Sequence, residues 1–241
     1  MNNIFSSPQG DDKDSWISVS DLMAGLMMIF LLIAVIYAKD ANQRAKNVTE
    51  IVTEWQDSEL AIYFALKNEF EDDLPKWNAE IEKETLTIRF LSPEVLFHAG
   101  RSDLEQRFQE ILLDFMPRYI KLLHDNFIDE IKEVRIEGHT SSEWSSSVSA
   151  TEAFIRNMGL SQERTRTVLR FSMDILDLKP LNPWMRKTVS ANGLSSAQLI
   201  IKDNIENKKR SRRVEFTIRT KTKEAMFQIL DRVAPAIEKR I

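Results

Sequence analysis

Residues 22–38, LMAGLMMIFLLIAVIYA, carry no charge, and only Gly25 interrupts the apolar side chains. Extended back to Trp16, the run makes a helix about 33 Å long at about 1.5 Å per residue, enough to cross a bilayer core. A cleaved signal peptide would need a basic segment before a shorter apolar core. Here the preceding residues are the acidic GDDKD. The pattern predicts a tail over 1–15 and a retained single-pass helix over 16–38. One carboxylate, Asp21, sits just inside this segment. An acid at membrane depth costs about 2.5–3.5 kcal/mol, so it needs a partner, a water path or protonation.

Beyond the anchor the composition is that of a water-facing protein. The chain has 241 residues, 43% hydrophobic and 29% charged, enough for one domain of roughly 130–150 residues after the membrane helix. A formal net charge of -4 argues against a nucleic-acid face, although KKRSRR (208–213) concentrates positive charge. There are no cysteines, which excludes disulfides and thiolate metal sites. His98, His124 and His139 stand at no metal-ligand spacing, so neither a metal nor a cofactor is expected. Met23, Met27 and Met28 read as helix packing.

After the anchor, apolar residues recur at helical spacing through Val48, Ile51, Val52, Trp55, Leu60, Ile62, Tyr63, Leu66 and Phe70. They predict a juxtamembrane helical connector over 39–82, interrupted at Pro75. TLTIRFL (85–91), EVRIEGHT (133–140) and RRVEFTIRT (212–220) read as strands. A helix starting at Ser102 carries the stripe Leu104, Phe108, Ile111, Leu112 and Phe115, with Pro117 as a possible kink. A second amphipathic helix over LSQERTRTVLRFSMDIL takes Ser161 as its cap. KEAMFQILDRVAPAIEKRI reads as a terminal helix. The sum is an α+β domain over 83–241. His139 reads as a structural turn histidine, since no nucleophile motif accompanies it. SSEWSSSVS reads as a loop whose Trp144 could dock on glycan or membrane.

Four segments carry a resemblance: VLFHAGRSDL (95–104), IEGHT (136–140), NMGLSQERTRTV (157–168) and SRRVEFTI (211–218). In this order they resemble the C-terminal, peptidoglycan-binding domain of the OmpA family. The resemblance implies a mixed sheet with helices packed on one face, and a wall-peptide site using Asn157, Leu160, Arg164 and the residue after Gly-His-Thr. That residue is Ser141, where the family usually has an aspartate that meets the amine of the wall peptide's diamino acid. The segment between Thr140 and Asn157 is also longer than usual, and Glu143 or Glu152 could supply the missing carboxylate. Arg164 would hold the peptide's carboxylate through two parallel hydrogen bonds, a geometry lysine cannot reproduce.

A single membrane helix with an acid near its start, followed by such a domain, resembles the MotB class of ion-driven stator subunits. Asp21 matches the ion-binding aspartate of that class. Within it, the compact length and the Gly-His-Thr-Ser-Ser-Glu-Trp variant look most like the members that serve in Zorya anti-phage defence. The resemblance implies that Asp21 carries a proton, or sodium, and that a dimer of this chain sits inside a pentamer of a MotA-like membrane partner. It also implies attachment to peptidoglycan and a signal to cytoplasmic effectors. Ser18, Asp21, Gly25, Met28 and Leu32 share one helix face, and Gly25 allows close approach of another helix.

The topology expected is a cytoplasmic N-terminus, an inner-membrane span and a periplasmic domain. The charge bias opposes it, since Lys39, Arg44 and Lys46 follow the anchor while DDKD precedes it. Long domains can translocate regardless of such bias. Three other readings stay open: a passive tether to the wall, in which Asp21 is an interfacial charge; a flagellar stator; and, least supported, a wall-modifying enzyme.

Overall fold

A computed structural model of the chain describes residues 11–91, 96–98, 100–144 and 147–221. The expected C-terminal helix and the first ten residues of the expected tail lie outside them, as do residues 145 and 146 of the serine-rich loop. The chain divides into two units, residues 1–52 and 53–241.

Helix α1 runs Asp11–Phe70 without a break, as expected of a stretch that holds no proline and only Gly25 as a weak helix former. Within it, Val19–Glu50 is long and apolar enough to cross a membrane, and its apolar window is wholly exposed. The end of α1 belongs to the second unit, where Ile62, Leu66 and Phe70 are fully buried in the core. Arg118 fastens this end: it donates to Glu69 at 2.7 Å and to Asp73 at 2.9 Å, and stacks 4.9 Å from the ring centre of Phe70.

The connector expected over 39–82 ends earlier as a helix. Residues 71–78 turn around Pro75, with Asn78 in the left-handed region at φ 49°. Ala79–Glu82 form strand β1 instead of a helical end. Strand β2 is Thr87–Phe90, β3 Ile131–His139, β4 Val189–Gly193 and β7 Arg213–Thr220. They form one mixed sheet in the order β1-β2-β7-β3-β4, antiparallel except for β3 and β4. A separate hairpin pairs β5, Ile201–Lys202, with β6, Ile205–Glu206. Asp203 and Asn204 both take positive φ there, the requirement of a tight two-residue turn.

Alternation divides the sheet into two faces. Ile88, Phe90, Val134, Ile136, Val214, Phe216 and Ile218 are buried on one. Helix α2, Gln106–Phe127, brings Phe108, Ile111, Leu112, Phe115, Met116, Tyr119, Ile120 and Leu123 against it. Phe115 is the hub: its ring lies 4.8 Å from Tyr119, 5.0 Å from Phe216, 5.2 Å from Phe70 and 5.3 Å from Phe90. The α+β fold expected from the sequence is therefore present, with a mixed sheet and its helices.

The helix starts differ from expectation. Helix α2 begins at Gln106 rather than Ser102, because residues 100–104 lie in a turn. In that turn the Arg101 amide donates to the His98 carbonyl at 3.0 Å, Phe97 bridges Leu104 and Gly100 takes φ 68°. The helix continues through Pro117. Helix α3 is Ala150–Asp174, and its cap is Ser149, whose side chain accepts from the Glu152 amide. Ser161, expected as the cap, is fully buried in mid-helix. After α3 come a 3-10 turn, Leu176–Leu181, helix α4, Asn182–Thr188, and the short helix α5, Lys208–Ser211.

Paired glycines set the approach of α3 to the sheet. Gly138 on β3 faces Gly193 on β4. A Cβ on Gly138 would lie 2.8 Å from the Ser161 carbonyl oxygen, and one on Gly193 would lie 2.3 Å from the Gln162 amide nitrogen. Only bare backbone admits the helix this close, which carries Asn157 and Arg164 over the end of β3.

Candidate functional site

The sheet's other face carries charge. Across β1, β2, β7 and β3 the register places Glu80, Arg89, Glu215 and Glu137 in one row. Arg89 donates to Glu80 at 2.9 Å and to Glu215 at 2.5 Å, and Arg213 donates to the same Glu215 oxygen at 2.6 Å. His139 ends strand β3 rather than lying in the turn expected of it. It is buried, with its Nε2 3.4 Å from Glu215 and 4.0 Å from Glu137.

Burial alone would raise the Glu215 carboxyl. His139 and Arg213 overcome it and hold the group well below the usual carboxylate range. Glu137 is pushed up, chiefly by burial. Glu137, His139 and Glu215 bring ligand-type atoms within 4.8 Å of one another. With two guanidiniums already on Glu215, ion pairing accounts for the cluster without a metal.

The basic run KKRSRR is spent in the same way. Lys208 pairs with Glu143 at 2.6 Å, Arg210 with Glu80 at 2.9 Å, Arg212 with Glu143 at 3.7 Å and Arg213 with Glu215 at 2.6 Å. Arg213 starts β7 and pairs with an acid.

Ser141 and Asn157 meet at the end of β3, and Arg164 lies further along the same helix. Asn157 is buried and donates to the backbone carbonyls of Ser141 at 3.2 Å and Glu143 at 3.0 Å, pinning the strand's exit to helix α3. Arg164, two helical turns further, is 9% exposed. Its Nε donates to the Arg101 carbonyl at 2.9 Å and its Nη2 to the His98 carbonyl at 3.5 Å. The guanidinium lies 4.8 Å from the ring centre of Phe97. The Phe97 ring and the carbonyls of His98 and Arg101 are thus the cradle of Arg164. Leu160, half-buried, lies on the same helix between them.

Among the described residues no carboxylate pairs with Arg164. Burial first, and the charge of Arg212 next, push its guanidinium down to about 10, so it stays a cation at neutral pH. Arg212 reaches the Ser141 hydroxyl at 3.5 Å. Glu143 is held low by Lys208, mainly through their hydrogen bond. Glu152, the other acid that could substitute, stands in the first turn of α3, where its amide donates to the Ser149 side chain and its carboxylate accepts from Arg156 at 2.6 Å. Glu206 on β6 has no counterpart in the sequence reading; its carboxylate accepts from the Ser142 amide at 3.0 Å and from the Ser142 hydroxyl. Trp144 is 39% exposed beside this loop.

Asp21 belongs to the first unit and is exposed on α1, where it borders a shallow concavity with Trp16, Ser20 and Ala24. A Cβ on Gly25 would meet nothing within 4 Å, so that surface is open to another helix.

No protein-family model matches the sequence. Among solved structures, the chain is similar to a putative MotB-like protein from Desulfovibrio vulgaris, at 19% identity and TM-score 0.48 over 72% of this chain and 99% of that one. It is similar to the cell wall anchor of the T6SS from Pseudomonas aeruginosa, at 20% identity and TM-score 0.44 over 65% of this chain and 97% of that one. It is also similar to the periplasmic domain of Helicobacter pylori MotB, at 17% identity and TM-score 0.43 over 64% of this chain and 89% of that one. Among curated proteins, Zorya protein ZorB of Escherichia coli is 43% identical over 220 residues, 91% of this chain and 93% of that protein. The chain belongs to the ZorB family of Zorya proteins.

Proposed function

We propose that this chain is the peptidoglycan-anchored, stator-like subunit of a Zorya anti-phage complex, driven by ions moving past Asp21. The observation that supports it best is the match to ZorB along nearly the whole chain, joined to a buried Arg164 without a carboxylate partner among the described residues. The subunit acts structurally, not as an enzyme. Its helix spans the inner membrane once, with the N-terminus in the cytoplasm and the α+β domain in the periplasm.

Arg164 takes a carboxylate of the wall peptide, with Asn157 holding the loop that frames it and Leu160 and Ser141 lining the approach. Removing an ion-paired carboxylate ligand from water pays only where the cation is already desolvated and fixed, and Arg164 is both. Asp21 accepts a proton, or binds sodium, on one side of the membrane and gives it up on the other. Each charge crossing contributes about 2.3 kcal/mol per 100 mV. A MotA-like partner, five copies around two of this chain, turns that step into rotation and passes a signal to cytoplasmic effectors. The open surface at Gly25 supports close helix packing there.

A passive tether is the second reading, favoured by the place of Asp21 only two residues inside the Val19 start of the apolar span. Co-sedimentation of the full chain, purified with its membrane partner, on isolated peptidoglycan sacculi tests the anchoring half. Retention of the complex is the expected result, and its absence removes the wall from the account.

A further inference from the structure

Arg212, whose charge acts on Arg164, stands beside Ser141, so the approach to Arg164 offers a cation and a hydroxyl where a ligand ammonium would need a free carboxylate. Ser141 is neutral and buried, and the guanidinium of Arg212 stands 3.5 Å from its hydroxyl oxygen. The described acids nearby are already committed: Glu143 to Lys208 at 2.6 Å, Glu206 to the amide and hydroxyl of Ser142, and, beside the Arg164 cradle, Asp103 to Arg101 and Glu105 to His98. An ammonium entering here would exchange its hydration for the field of Arg212. An amide carbonyl entering the same place could accept from Arg212 or from the Ser141 hydroxyl, while a carboxylate on the same ligand reaches Arg164. A charge left facing a like charge in such a place is disfavoured, whereas a neutral acceptor avoids that cost.

We infer that the site selects a wall-peptide stem whose diamino acid keeps its carboxylate but carries an acylated side-chain amine, as at a peptide cross-link. The inference rests on the wall-binding reading and names its ligand. Ser141 and Arg212 are the residues that set the preference: Ser141 removes the attraction for ammonium, and Arg212 adds repulsion.

The test uses the full chain with its membrane partner in detergent and two synthetic tripeptide stems, L-Ala-γ-D-Glu-meso-diaminopimelate with a free amine and the same peptide acetylated on that amine. Calorimetry should show the acetylated stem binding more tightly, by about tenfold or more. Ser141→Asp should reverse the order. Arg212→Ala, at a half-buried rim position, should narrow the gap by tightening the free-amine stem while leaving the acetylated one bound. Tighter binding of the free-amine stem by the unaltered protein overturns the inference. So does binding of neither stem by protein that still sediments with sacculi, with wall attachment then left standing. Failure to bind stems and sacculi alike overturns the wall-binding reading together with it.

Discussion

The guanidinium of Arg164 stacks 4.8 Å from the ring centre of Phe97, and backbone carbonyls of the turn that follows Phe97 fix its edge. The planar fork is therefore held before any ligand arrives. Arg164→Lys keeps the charge but loses both the stacking and the fork. Retention on sacculi should fall by at least about tenfold in Arg164→Lys as well as in Arg164→Ala. Equal retention by the lysine variant would show that a point charge suffices.

The Glu215 network makes stability depend on pH in a stated direction. A carboxyl held lower in the folded than in the unfolded chain stabilises the fold above about pH 4.3, and this contribution is lost as pH falls further toward the folded value. Glu215→Gln leaves Arg89 and Arg213 facing an amide, at a cost of about 3–5 kcal/mol near neutral pH. Its melting temperature should also fall less steeply than that of the unaltered protein below about pH 4.

Glu137 has the opposite sign. Its carboxyl is raised, chiefly by burial, so stability is lost as pH rises from the unfolded value through the folded one, and the full cost stands above it. It also stands directly across from Glu215 in the β3–β7 register, and opposed like charges destabilise a sheet. Glu137→Gln should raise the melting temperature by a few degrees at neutral pH, about 1 kcal/mol. Thermal unfolding of the two glutamine variants side by side checks both signs.

Gly193→Ala should be worse than Gly138→Ala. The new Cβ at Gly193 meets helix backbone at 2.3 Å, whereas the nearest atoms to one at Gly138, the Ser161 carbonyl oxygen and the Thr165 methyl, lie at 2.8 Å. The expected cost is about 1–3 kcal/mol for the milder change. Because α3 carries Arg164, sacculus retention should fall with stability in both. Retention unchanged in a destabilised Gly193→Ala protein would show that the site does not depend on the helix's close approach.

The strands with strict alternation were legible in the sequence. RRVEFTIRT and EVRIEGHT become β7 and β3 because one face must be apolar against Phe115 and the other can be charged. Strand β4 was not legible: all five of its residues are half-buried at a parallel edge, so no face imposes a period. The hairpin of Ile201 and Ile205 announces itself only through Asp203 and Asn204, whose short polar side chains tolerate positive φ. Ser161 looked like a cap because Leu-Ser-x-x-Arg opens the family motif, yet Ser149 with Glu152 three residues on is the stronger start signal. Arg164 was legible as a residue, but its cradle of two carbonyls and a ring depends on a turn sixty residues earlier in the chain, and no local pattern encodes that meeting.

Phage plating on cells carrying the chain within its own gene neighbourhood, comparing the unaltered protein with Asp21→Asn, tests the ion-driven role most directly. Co-purification of the membrane partner shows whether the variant complex still assembles. If Asp21 carries the driving ion, protection should vanish by several orders of magnitude in plating efficiency while the complex remains intact, because the amide cannot take up and release a proton. Full protection by an assembled Asp21→Asn complex would contradict ion transfer at Asp21 and leave the chain a passive tether.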